Sequence, residues 1–274
     1  MFVLSAGEGK KGGNSVASML WKMFKMKGLL DARKPANEIN LVFDNCAGQN
    51  KNKMVYRMLF FMVKLKVCRT ANAIFLVKGH TKNDCDRMFN LMKYDYRKVD
   101  CFSPPELLEI ANKHPHVHAV AMNTDEFKDW NELEDKMIRL LKSGVKKNHV
   151  FTVKAKDSNT MMVQEYGGAP VTRELLVNEP FRDVDWRSLF QLQAIVPPGL
   201  PDIKWNELYS KWGKFVPENR KPGLKYFMEK PPVEVKKRIA EQSAQAKAVR
   251  ATRSRGPVAE PKKKKRKTKQ KSIP

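Results

Sequence analysis

Residues 50–66 constrain this chain more than any other stretch. Met54, Val55, Met58, Leu59, Phe60, Phe61 and Met62 make the segment apolar on nearly every side at helical spacing. A helix of that kind cannot rest on a surface. It must lie against a sheet and be covered on its other face. The neighbouring segments offer the sheet. Ile39-Asn40-Leu41-Val42-Phe43 predicts a strand that stops at the polar cluster Asp44-Asn45-Cys46-Ala47-Gly48-Gln49. Residues 73–77 predict the next strand, ending at Gly79-His80-Thr81.

The same alternation runs through the first half. Val16, Met19, Leu20, Met23 and Phe24 recur at i, i+3, i+4, i+7 and i+8, with Asn14 or Ser15 as cap and Gly28 as terminator. A third helix is expected over 83–98, with Cys85, Met88, Phe89, Met92 and Tyr96 as its buried stripe. A helix over 104–113, a strand over 117–122 and a helix over 125–141 follow. Residues 150–155 and 161–166, joined by 156–160, predict a β-hairpin. The Pro-rich 167–230 stretch suggests short helices and loops, with Trp186, Trp205 and Trp212 in a satellite core. The expected class is α/β, divided into a core over 1–142, a hairpin and short-helix extension over 143–230, and a tail over 231–274.

Charge singles out that tail. The chain has 274 residues and a formal net charge of +24. Residues 231–274 hold 15 Lys and Arg against 3 Asp and Glu, half of the excess in one-sixth of the length. Such a block buries too little apolar surface to offset its ordering entropy and is expected to be disordered. The 42% of hydrophobic residues excludes disorder for the whole chain. A basic body points to a polyanion partner, nucleic acid before membrane surface. The longest central apolar run spans six residues, 58–63, where a membrane span needs about 20. Gly7-Glu8-Gly9-Lys10-Lys11 interrupts the short apolar start, against a signal peptide. A soluble, intracellular protein is therefore expected. Cys46, Cys68, Cys85 and Cys101 form no C-x-x-C pair, so a structural zinc site is not expected and reduced thiols are, Cys68 and Cys85 as packed hydrophobes.

Two polar clusters stand where open α/β sheets place their sites, at the carboxyl ends of strands. One is Asp44 to Asn52; the other runs from Gly79 to Asp86. With the two strands adjacent, Asp44 and Asp86 would face one cleft and suit a pair of divalent ions in phosphodiester chemistry. Lys51, Lys53 and Lys82 would add phosphate contacts, and Gln49 or Asn50 would bind backbone oxygens. The plain alternative keeps Asp44 as the start of a turn and Asp84 and Asp86 as acids capping a helix. His114, His116 and His118 are taken as a solvated helix end and strand start.

The run Asp44-Asn45-Cys46-Ala47-Gly48-Gln49-Asn50-Lys51-Asn52, with Gly79-His80-Thr81 and Asp86 beyond it, resembles a transposable-element-derived eukaryotic family. Gly12-Gly13-Asn14-Ser15-Val16-Ala17-Ser18 resembles the helix start that precedes the motif there. The likeness spans about residues 7–127. The family's domain belongs to the ribonuclease-H-like, DDE-type transposase and integrase superfamily. The resemblance implies a ribonuclease-H-like mixed sheet with flanking helices. It matches Asp44 to the second acidic ligand after the fourth strand, and Asp86 to the third on the helix after the fifth. It also implies His80 as an orienting group and Mg²⁺ or Mn²⁺ as the metal. Only Phe2-Val3-Leu4 precedes the first helix, so the first two strands and the first acid are expected to be lacking. The expectation is a transposase-derived nucleic-acid-binding protein whose cleavage and strand-transfer chemistry is ancestral and inactive in this chain. The open sheet edge that results would favour self-association.

Two alternatives remain. One is a non-catalytic nuclear module that binds DNA or protein. The other, more remote, is a dinucleotide site through Gly7, Gly9 and Gly12, which satisfy G-x-G-x-x-G. Against it, two lysines lie inside the loop and Asp44 is 32 residues past Gly12, where an acid about 20 on is wanted. In the tail, Pro261 precedes Lys262, Lys263, Lys264, Lys265, Arg266 and Lys267, a run resembling a nuclear-localisation signal. Its expected readers are a nuclear import receptor and the phosphates of DNA, and the expected location is the nucleus.

Overall fold

The computed structural model describes residues 2–3, 9, 12–77, 84–131, 134–189, 192–220 and 229–254. They form two compact units that divide between Pro201 and Asp202. The first contains β1 (Phe2–Val3), α1 (Gly13–Met26), β2 (Ala36–Phe43), α2 (Lys53–Lys64), β3 (Cys68–Phe75), α3 (Asp84–Tyr96) and α4 (Pro104–Asn112). It continues with β4 (Val120–Ala121), α5 (Glu134–Met137), β5 (Val150–Lys154), β6 (Asp157–Gln164), β7 (Thr172–Leu175) and α6 (Trp186–Leu189). Five strands make one mixed sheet in the order β2-β3-β5-β6-β7. The β2-β3 pair is parallel and the other three pairs are antiparallel. β1 and β4 pair separately, in parallel.

The all-round apolar helix sits where its composition requires. α2 buries every residue over 54–63, Arg57 included. One side meets the inward row of the sheet, where Leu41, Ala73, Phe75, Phe151 and Val163 are buried at alternating positions. The other side is covered by α1 and by the segment carrying Trp130. Phe61 meets Trp130 and Trp186 edge-to-face at 6.0 and 5.2 Å, and the Trp130 indole donates to Ser18 Oγ at 3.1 Å. Close approach at the start of α1 makes Gly13 necessary. A Cβ there would stand 2.6 Å from Met54 Cβ and 2.7 Å from Asn52 Oδ1. Gly28, at φ +67, ends the helix as expected, with Leu29 N–H donating back to Phe24 O at 2.9 Å.

Several local expectations are corrected. Asn14 is not the cap: Gly12 takes that place, and the Asn14 amide bridges Asp129 Oδ1 and Trp130 N–H. β3 starts at Cys68, five residues early, because the small residues Ala71 and Ala73 fit beneath α2 as well as a β-branched run would. The strand at 117–122 shrinks to Val120–Ala121. Among the described residues of 125–141 the α-helix is limited to the short α5. After a 3₁₀ turn at Thr124–Glu126, Phe127 and Trp130 enter the core from irregular backbone held by bridges from Lys128 to Ala194 and Ile138 to Val177. In α3, of the expected stripe whose side chains are described, Met92 is buried while Phe89 is 44% exposed; Cys85 lies outside the residues so described. Trp186 belongs to the main core and Trp212 is exposed.

The hairpin forms, but its second strand starts at Asp157 after the two-residue turn Ala155-Lys156. Its strands are no extension: β5 pairs with β3 and continues the sheet. In the second unit, residues 233–254 of the expected disordered tail form the helix Val233–Ser254. Val235 is buried there, and Arg238 grips Asp202 with two bonds of 2.6 and 3.0 Å, holding that carboxyl below its usual range. No described helix is long and apolar enough to cross a membrane.

Urea denaturation checks the central role of α2. Phe61→Ala is expected to cost about 3–5 kcal/mol and Gly13→Ala about 1–3 kcal/mol, while Phe89→Ala stays within about 0.5 kcal/mol. Equal effects at Phe61 and Phe89 would contradict this packing.

Candidate functional site at the strand ends

Because β2 and β3 are neighbouring parallel strands with Phe43 opposite Phe75, both strands stop at the same end of the sheet, where the Asp44 loop begins; residues 78–83 of the second cluster lie outside the described residues. β5 runs the other way, so its start reaches that end too, bringing His149. Phe75 N–H donates to His149 O, and His149 Nδ1 stands 2.8 Å from Phe75 O. Sequence reasoning did not single out His149, because it lies next to no motif and only the β3-β5 pairing brings it there.

The loop after β2 is folded on its own polar groups. Cys46 O accepts from the N–H groups of Gln49, Asn50 and Lys51 at 3.2, 2.8 and 3.0 Å. Asp44 is exposed; its Oδ1 accepts from the Asn50 amide and, at 3.4 Å, from Cys46 N–H. Asn52 caps α2, its Oδ1 taking Met54 N–H at 3.0 Å and Val55 N–H at 3.3 Å while its amide donates to Gln49 O. An Asn just before an apolar run is a legible cap signal, although the sequence pattern alone marked Asn52 only as the end of a polar cluster.

Lys51 is placed against expectation. It is only 4% exposed, donates to Lys146 O at 3.0 Å and lies 5.8 Å from the centre of the Phe75 ring. Burial pushes its pKa down. It braces the loop internally and is not presented to a polyanion. Gln49 is exposed, Asn50 is turned to Asp44, and Lys53 opens α2 half-buried. Asp86 is exposed in the first turn of α3. His80 and Lys82 lie outside the described residues, as do Lys262, Lys263, Lys264, Lys265, Arg266 and Lys267.

Mg²⁺ and Mn²⁺ want several oxygen ligands converging on one point. Among the described residues no group of three His, Cys, Asp or Glu side chains stands close enough to hold an ion. One Asp44 oxygen already serves its own turn. The donor set as described does not fit a two-metal centre, and no metal-dependent step is assigned to it. Of the glycine series, Gly7 lies outside the described residues. Gly9 stands where a Cβ would be 2.7 Å from the Phe127 ring, and Gly12 precedes α1, so these two serve packing and a helix start. Cys68 is a packed hydrophobe as expected, its thiol pushed up to about 12 by burial.

Fold and site together define an α/β domain with a self-capped loop at the ends of two parallel strands. Residues 2–168 match the model of a domain of unknown function, DUF7869, and the chain belongs to that family. The matched region runs from β1 through β6 and leaves the second unit outside it. No curated protein and no solved structure matches the chain.

If Asp44 works as a turn acceptor, Asp44→Ala should cost about 1 kcal/mol and Asp44→Asn, which keeps an acceptor oxygen, less than about 0.5 kcal/mol. Urea titrations with and without Mn²⁺ should coincide for all three proteins. Stabilisation of the wild type by Mn²⁺ that Asp44→Asn abolishes would restore the metal-ligand role.

Proposed function

We propose that this chain is a nuclear, nucleic-acid-binding protein of transposase-derived, ribonuclease-H-like descent that holds polyanions without cleaving them. The observation that carries the reading is the charge. The chain bears +24 overall, and residues 231–274 alone bear half of it. Charge of that density releases counterions when it meets phosphates, which supplies sequence-independent affinity. DNA is the expected partner, and the run 262–267 is the expected handle for an import receptor.

The descent is supported by the loop motifs together with the sheet. The strands preceding the two motif-bearing segments are adjacent and parallel and end side by side at Phe43 and Phe75. That suits their match to the fourth and fifth strands of a ribonuclease-H-like domain. The non-catalytic reading is favoured by how the Asp44 loop uses its groups: a carboxylate tied to Asn50 and a lysine buried on a carbonyl stabilise a turn. Nothing in those bonds requires a substrate.

Fluorescence anisotropy with a labelled DNA duplex, repeated across salt concentrations, tests the binding claim. Deleting 261–271 from the chain should flatten the slope of log K against log salt, by about 0.9 for each phosphate that the tail no longer neutralises. The same deletion should remove nuclear accumulation of a fluorescent fusion. Unchanged slope and unchanged nuclear signal would reject the role given to the tail.

A further inference from the structure

We propose that the second unit carries a platform for single-stranded nucleic acid built on Trp212 and Phe215. This rests on the nucleic-acid reading above and states where unpaired bases would be held. The platform lies beyond the residues that match the family domain.

The platform is made by local backbone geometry. After α7 (Asp202–Glu207) the chain makes a π-helical turn at Leu208–Trp212 and then a 3₁₀ turn at Gly213–Phe215. A 3₁₀ turn eclipses positions i and i+3, so Trp212 and Phe215 share a side. Both are in solvent, 52% and 63% exposed, with ring centroids 6.2 Å apart and planes tilted by 52°. Two large rings exposed side by side are costly in water and mark a contact surface.

Charge identifies the occupant. In Lys211-Trp212-Gly213-Lys214-Phe215 the cations alternate with the rings. Lys214 and Lys211 are exposed; Lys214 Nζ lies 5.0 Å from the centre of the Phe215 ring, and Lys211 is steadied by Glu207 at 3.3 Å. An apolar protein surface would cover Lys214 with no anion to meet it, and Lys211 with Glu207 alone. A chain of bases offers flat π-faces for the rings and phosphates for the lysines. The bases must be unpaired, because in a duplex each face is already stacked on the next.

The full chain should be titrated against a labelled oligothymidylate of about 12 nucleotides, within the site size of such platforms, and against a duplex of like length. Replacing both rings, as Trp212→Ala with Phe215→Ala, should weaken single-strand binding about ten- to a hundredfold. Duplex binding and the salt slope should not change, because no charge is removed. The pair Trp212→Leu and Phe215→Leu, apolar but ringless, should show the same loss, and Trp212→Phe should retain most of the affinity. Wild-type affinity in the ringless variants would overturn the platform and leave the nucleic-acid reading standing. So would an equal loss on single strand and duplex. A wild-type chain that binds neither probe at low salt would overturn both.

Discussion

Burial of α2 on all sides is the constraint from which the rest of the first unit follows. A helix with Met, Leu and Phe around its circumference must have a layer on each side. The sheet supplies one layer; α1 and the Trp130 segment supply the other. Each layer then carries its own demands. The sheet beneath α2 alternates buried Leu41, Ala73, Phe75 and Phe151 with outward polar positions, where Asn72 bonds to Asn40 and Thr152 across three strands. The opposite layer brings α1 so close to the start of α2 that only a glycine fits at residue 13.

The strand-end loop is shaped by the same helix. α2 begins immediately beyond it, and its first N–H groups need acceptors that the helix cannot provide. Asn52 meets that need, Cys46 O gathers three loop amides, and Asp44 anchors Asn50. The polar motif D-N-C-A-G-Q-N-K-N is thus in large part the hydrogen-bond inventory for turning a strand into a buried helix. A motif that the sequence presents as chemistry can be satisfied by architecture. This is why the proposed function rests on charge and leaves Asp44 in a structural role.

Much of this was legible in the sequence, for identifiable reasons. α2, the strand before it and the Gly28 terminator announce themselves through strong periodicity and a residue suited to positive φ. The hairpin was visible from its alternation, but its place in the sheet was not. Long-range pairing of β5 with β3 leaves no local trace. The 125–141 segment misled because Phe127, Trp130 and Ile138 have a helix-like spacing yet enter the core from irregular backbone. At the site, position was readable and role was not. Asp44 stands at the strand end as expected. The burial of Lys51 and the arrival of His149 depend on residues distant in the chain, Lys146 and Phe75. The exposure of Trp212 ran against its apolar character, which argued for a core.

Binding without cleavage is tested most directly by incubating the full chain with supercoiled plasmid in Mn²⁺ and running one gel with and one without prior removal of protein. The account predicts plasmid that is retarded while protein is present and fully supercoiled once it is stripped. Nicked circles that form with the wild type, and fail to form with Asp44→Ala and with Asp86→Ala, would contradict it.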